Sequence, residues 1–145
     1  MTDGEGFASR ATLTDLDRVL ELDRAEPVGR ERAALLTARI QSDEVIVFGH
    51  DDQLFGFVVV RKNSFFGRDF VELLSVSSRQ RRQGIGSELL AEAVTQSSSD
   101  RIFTSTNQSN TAMIGLLEKA GWQFSGRLEG IDDGDPELVY FTGAR

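Results

Sequence analysis

The sequence predicts an α+β fold, α/β-like and three-layered, with one mixed sheet flanked by helices. Three observations carry that reading. Short apolar runs of strand length are interspersed with segments of helical period. Two helices sit together near the N-terminus, and a strand meander follows them. Gly, Pro, Asp, Asn and Ser punctuate the gaps, as turns and caps require. The chain has 145 residues, a length suited to one domain with a sizeable core. That domain is taken as 1–145, with residues 1–6 expected to be disordered.

Taken in order, Phe7 to Leu13 can form a first strand. Thr14 is placed to cap a helix carrying Asp15 and Asp17 in its first turn. Leu16, Val19, Leu20 and Asp23 trace that helix, which ends before Pro27. Gly29 to Gln41 reads as a second helix, with Ala33, Leu36, Thr37 and Ile40 on one face. Val45–Phe48 is a strand, Asp51-Asp52 a turn, and Leu54–Val60 the returning strand. Asn63 to Arg68 is a connection, Phe70–Val76 a strand, and Gly84–Thr95 a helix. Ser97–Asp100 breaks that helix before a strand at Ile102–Thr106. Ser109 or Asn110 caps the next helix. Trp122–Leu128 and Glu137–Phe141 close the sheet around the turn at Asp132–Pro136.

The net charge of -7 argues against a general nucleic-acid binder and favours a cationic or neutral substrate. With no Cys there is no disulfide framework, thiolate nucleophile or Cys-based metal site. No metal site is expected, and a cytoplasmic location is compatible with that composition. The polar, acidic start Met1–Gly6 does not read as a signal peptide, and no apolar run approaches a membrane span.

The most informative stretch is Arg81-Arg82-Gln83-Gly84-Ile85-Gly86, between the strand Phe70–Val76 and the helix that begins near Ser87. The first N–H groups of a helix have no intrahelical partner, and its dipole places partial positive charge there. Gly84 and Gly86 permit a tight turn and close approach of an oxygen, and Arg79, Arg81 and Arg82 add full charges. A phosphate or pyrophosphate is the ligand this pattern fits. A Walker A loop is excluded, because only Ile85 separates the two glycines and no Lys follows. A dinucleotide fingerprint is excluded because Leu89 stands where its third glycine belongs.

The Arg-x-x-Gly-x-Gly spacing resembles the coenzyme A loop of the GNAT superfamily of N-acetyltransferases. Asn110 to Trp122 resembles that family's next segment, in which an Asn opens a helix that ends in Glu118-Lys119-x-Gly121-aromatic. The resemblance covers Phe70 to Phe124 most strongly. It implies a mostly antiparallel sheet whose two central strands, Phe70–Val76 and Ile102–Thr106, splay apart. It further implies acetyl-CoA as cosubstrate and direct acetyl transfer to an amine of a small molecule or protein. Backbone groups around Leu74 and Val76 would hold the pantetheine arm. N–H groups from Arg82 to Ser87, spanning Gln83, Gly84, Ile85 and Gly86 and assisted by Arg81, would hold the pyrophosphate. Asn110 would contact the arm near its middle. Homodimers are common in that family; no nucleic-acid or membrane partner is expected.

Amine attack needs a base, and thiolate departure benefits from an acid. Glu72 interrupts an otherwise apolar strand, and alternation groups it with Phe70, Leu74 and Val76, where burial makes a carboxylate a better proton acceptor. The family often carries a Glu on this strand. The acid is where the pattern departs: the family's Tyr falls at Leu117, which cannot donate a proton. Tyr140 is the only tyrosine and serves if the last strand lines the site; Ser105, Ser109 or water are the other donors. Asp69 lies nearer the strand end, His50 reads as a loop residue, and Trp122 reads as core. Phe65-Phe66 is expected to line an acceptor pocket. Leu117 also supports a different reading, a non-catalytic acyl-CoA-binding or sensor domain. A toxin-like acetyltransferase acting on charged tRNA is a third, disfavoured by the acidic balance.

Overall fold

The computed structural model describes residues 6–23, 30–50, 53–80 and 84–144. The expectations for residues 1–5, Pro27, Gly29, the Asp51-Asp52 turn, Arg81, Arg82 and Gln83 lie outside these. The described elements are β1 (Phe7–Arg10), α1 (Leu16–Leu22), α2 (Arg30–Gln41), β2 (Val45–His50), β3 (Gln53–Phe65), β4 (Arg68–Val76), α3 (Ile85–Gln96), β5 (Arg101–Asn107), α4 (Thr111–Lys119), β6 (Gln123–Leu128) and β7 (Glu137–Gly143). The sheet order is β1-β2-β3-β4-β5-β7-β6. Only β4 and β5 run parallel; every other neighbouring pair is antiparallel. Among the described residues no helix is long and apolar enough to cross a membrane.

Each face of the sheet has its own core. α3 and α4 cover one face, where Ile85, Leu89, Leu90 and Leu117 meet Val58, Val71 and Ile102. α1 and α2 cover the β1–β4 half of the other face, where Val19, Leu36 and Ile40 meet Val45, Phe57 and Val59. These are called the α3 face and the α2 face below. Burying each such aliphatic side chain contributes about 1.5–3 kcal/mol. The α2 stripe follows the sequence expectation: Leu36 and Ile40 are buried, and Thr37 satisfies its hydroxyl on the Ala33 carbonyl at 2.8 Å.

Several boundaries differ from the sequence reading. β1 stops at Arg10, and a 3-10 turn at Leu13–Asp15 precedes α1. Asp15 accepts the Thr12 N–H at 2.9 Å, so the helix entry starts at Thr12, and Thr14 lies inside the first turn. β3 runs on to Phe65, leaving only Phe66-Gly67 between Phe65 and its partner Arg68. The expected long connection from Asn63 is therefore a two-residue hairpin. Asn63 has φ 53° there, its N–H held by the Asp69 carboxylate at 3.0 Å. His50 closes β2 and sets its ring edge-on to Phe55, 5.1 Å between centroids, so it is not a loop residue.

Candidate active site

β4 and β5 pair over only three positions: Asp69 with Ile102, Phe70 with Phe103 and Val71 with Thr104. β4 continues to Val76 and β5 to Asn107 without further pairing to each other. The two strands thus form a fork. At its apex the Thr104 hydroxyl donates to the Val71 carbonyl at 2.9 Å, closing the backbone group that the parting strands expose.

Strand geometry decides what lines the fork. Ser77 donates its N–H to the Phe55 carbonyl at 2.7 Å. With Phe57 opposite Ser75 and Val59 opposite Leu73, the hydrogen-bonded pairs with β3 fall on Ser75 and Leu73. The N–H and C=O groups of Leu74 and Val76 are then directed away from β3, into the fork. These are the two residues that the family resemblance assigns to a pantetheine arm.

α3 begins beside the open end of β4. Gly84 is its N-cap, with φ 79° in the left-handed region where only glycine is unstrained, and the first intrahelical bond runs from Glu88 N–H to its carbonyl at 3.0 Å. Ile85, Gly86 and Ser87 precede that bond, so their N–H groups have no acceptor within the helix. Among the described residues, a Cβ on Gly84 would meet no atom within 4 Å. Gly86 differs: a Cβ there would come within 3.0 Å of Leu116 Cδ2, so its small size serves the approach of α4 to α3. Asn110 caps α4, its Oδ1 accepting the Met113 N–H at 3.1 Å. That bond engages the carbonyl end of the side chain and not its amide end. The loop between β6 and β7 is tied to the same corner, with Asp135 accepting both the N–H and the hydroxyl of Ser109, at 3.0 and 2.7 Å.

A β-bulge relocates Glu72. Val59 faces Leu73 and Val60 faces Val71, leaving Glu72 as the extra residue of β4. The expected alternation with Leu74 and Val76 is thereby broken. Those two pack on the α3 face, whereas Glu72 turns to the α2 face. There Arg39 of α2 donates to both carboxylate oxygens at 2.9 and 3.4 Å, and Arg61 stands 3.9 Å away. The Glu72 hydrogen bond holds Arg39 in its charged form, raising its pKa against the opposing effect of burial. Glu72 is 28% exposed, so its carboxylate still meets solvent.

Tyr140 lies on the α3 face of β7, 4% exposed, directly opposite Thr104 at the fork apex. Its phenol is raised above the ordinary tyrosine value, by burial first and by the Glu118 charge second. A phenol at its ordinary value is already protonated at neutral pH, as a proton donor must be, and the burial of Tyr140 reinforces that state. Leu117, in the position of the expected family Tyr, is fully buried beneath α4. Asp69 is also buried, but its carboxylate is committed to Ser97 Oγ at 2.8 Å and to backbone N–H groups of Asn63 and Ser98, which makes it an anchor of the hairpin. Trp122 is core.

The sequence missed Arg39, Thr104 and Glu137. Arg39 sits next to the buried Ile40 and outside any motif. Thr104 was legible in principle: it occupies an inward position between Ile102 and Thr106. Glu137 accepts the Ser105 hydroxyl at 2.7 Å on the α2 face, a pairing visible only once β5 and β7 are neighbours.

Residues 13–122 match the sequence profile of the acetyltransferase (GNAT) family. The chain belongs to that family. A GNAT-family acetyltransferase from Bacillus cereus ATCC 10987 has 30% identity and a TM-score of 0.89, over 97% of this chain and 98% of its own. Salmonella typhimurium yncA, solved with acetyl-CoA, has 15% identity and a TM-score of 0.79, over 98% and 95%. Arabidopsis thaliana NAA60, solved with a bisubstrate analogue, has 17% identity and a TM-score of 0.76, over 95% and 97%. No curated protein sequence matches the chain. The TM-scores show that these three structures share the fold described above.

Proposed function

We propose that this GNAT protein transfers the acetyl group of acetyl-CoA to a primary amine of a small molecule or protein. The fork carries the reading. Its β4 edge presents the Leu74 and Val76 backbone as strand-like partners for an extended amide-bearing arm, and the glycine-capped start of α3 lies beside it. The residues fit the cosubstrate. Gly84, Ile85, Gly86 and Ser87 would hold the pyrophosphate with their N–H groups, Arg81, Arg82 and Gln83 would complete that loop, and Asn110 would meet the arm with its amide end.

In the reaction the amine nitrogen forms a bond to the thioester carbonyl carbon and the C–S bond breaks. An ammonium and a thioester give an amide, a thiol and one proton. Glu72 takes the proton that frees the nitrogen lone pair and passes it to solvent, with Arg39 fixing the carboxylate. Tyr140 donates to the departing sulfur and recovers a proton from the acylated nitrogen. The acetyl-CoA found in yncA supports the choice of donor.

A second reading, an acyl-CoA-binding domain without turnover, is favoured by Leu117 in the donor position. Calorimetric titration with acetyl-CoA and thiol release with a panel of amines separate the two. Binding that weakens at least tenfold in Gly84→Val, together with amine-dependent thiol release, is the expected result. Binding without release supports the second reading, and no binding by folded protein overturns both.

A further inference from the structure

Five phenylalanines form a half-open cluster on the α2 face, beyond the reach of α1 and α2. Phe70, Phe103 and Phe141 are register partners or ring neighbours across β4, β5 and β7, with Phe103 and Phe141 centroids 5.5 Å apart. Phe65 lies over Phe70 and Phe103 at 5.0 and 5.1 Å, and Phe66 stands edge-on to Phe65 at 5.0 Å. None of the five belongs to either hydrophobic core. Phe66 is 85% exposed and holds φ 52°, a left-handed position in a two-residue hairpin where Asn or Gly is at ease. For the fold alone, an exposed aromatic residue in a strained left-handed position is a poorer choice there than Asn or Gly.

The cluster adjoins the fork on the side opposite α3. Two residues beyond Phe103 along β5, about 7 Å, Ser105 meets the Glu137 carboxylate. Among the described residues Glu137 has no cation within ion-pair distance, whereas Glu72 is held by Arg39. Arg101 covers only the far rim, 5.7 Å from the Phe141 ring centroid. An apolar aromatic surface is thus followed, one same-face step nearer the fork, by a carboxylate that no cation pairs among the described residues.

We propose that this surface is the acceptor subsite, and that it selects a primary amine carried two or three carbons from an aromatic ring. The ring stacks on the phenylalanine cluster. The ammonium is received by Glu137 and Ser105, beside the fork and within the zone where Glu72 takes the proton. Glu137 is the specificity-determining residue, recognising charge, and Phe66 reads the ring. The proposal rests on the acetyl-transfer reading for its chemistry, but its binding surface stands or falls separately.

The test compares phenethylamine with n-butylamine, by thiol release from acetyl-CoA and by calorimetry on the protein with coenzyme A present and absent. The phenethylamine KM is expected to be at least tenfold lower. Phe66→Asn should bring the two amines to parity, and Glu137→Gln should raise both KM values at least tenfold, each with unchanged acetyl-CoA affinity. Equal KM values in the wild type overturn the proposal. So does a Phe66→Asn protein that changes from dimer to monomer in sedimentation while its amine preference is intact, which assigns the cluster to a second copy of the chain. Should acetyl-CoA fail to bind, the acetyl-transfer reading falls alone. Calorimetry without cofactor still decides the subsite, since phenethylamine binding lost in both variants supports it and absence of binding overturns it.

Discussion

Arg39 on α2 grips Glu72 at the bulge of β4, with Nε on one carboxylate oxygen at 2.9 Å and Nη2 on the other at 3.4 Å. The pair ties the helical layer to the strand edge of the fork. Its partial burial limits screening by salt. Removing the guanidinium is expected to destabilise the fold by about 1–3 kcal/mol. Arg39→Gln should therefore lower the urea midpoint, and Arg39→Lys should recover less than half of the loss because an ammonium cannot span both oxygens. Equal midpoints for all three proteins would show that the pair does not hold in solution.

Glu72→Gln separates chemistry from binding. The amide keeps a carbonyl for Arg39 but cannot accept the amine proton. A fall in kcat of roughly 10²–10⁴-fold is expected near neutral pH, with acetyl-CoA affinity unchanged. A variant with full kcat would hand the proton to water.

The two glycines of the loop should fail in different ways. Gly84→Ala strains a left-handed backbone at a cost of about 1 kcal/mol, with no steric clash. Gly86→Val drives its side chain into Leu116 and costs about 1–3 kcal/mol. Adding Leu116→Ala to Gly86→Val should recover part of that loss, giving a non-additive double-mutant cycle. The same second change should do nothing for Gly84→Ala. Urea unfolding of the six proteins, Leu116→Ala alone included, measures both.

Tyr140 supplies a pH test with a defined sign. Its phenol is raised above 10.0, mainly by burial. The folded state therefore keeps the proton where the unfolded chain has lost it. This contribution is complete below the unfolded value of about 10 and disappears as pH rises through the folded value. Unfolding curves from about pH 8 to about pH 11 should show a steeper alkaline loss for wild type than for Tyr140→Phe. At neutral pH the variant should remain as stable but turn over more slowly.

Phe66→Asn should be at least as stable as the wild type, with a gain of up to about 1 kcal/mol, because Asn-Gly suits the two-residue hairpin. The lost edge-on contact with Phe65 offsets part of that gain. A higher midpoint combined with a higher aryl-amine KM would mark Phe66 as a residue kept for function.

Much of the fold could be read from periodicity and turn residues, because the buried stripe of α2 and the apolar runs of β2 to β4 obey local rules. The fork was reached through the resemblance carried by Gly84, Gly86 and Asn110. What stayed hidden is non-local. A bulge has no local signature, so strict alternation placed Glu72 on the wrong face. The hairpin at Phe66-Gly67 was obscured because Phe at a left-handed position does not look like a turn. Arg39 and Glu72, 33 positions apart, meet only once the layers are assembled.

The bulge has one more consequence. Along β4, Leu74 and Val76 address the α3 side, whereas Phe70 and Glu72 address the other. Under the proposed reading, donor handling and acceptor choice thus occupy successive halves of a single strand. If the proposed subsite holds, a combinatorial library varied at Phe66, Phe103 and Glu137 should retune the accepted amine and leave acetyl-CoA binding intact, letting the scaffold diversify its substrates by small steps.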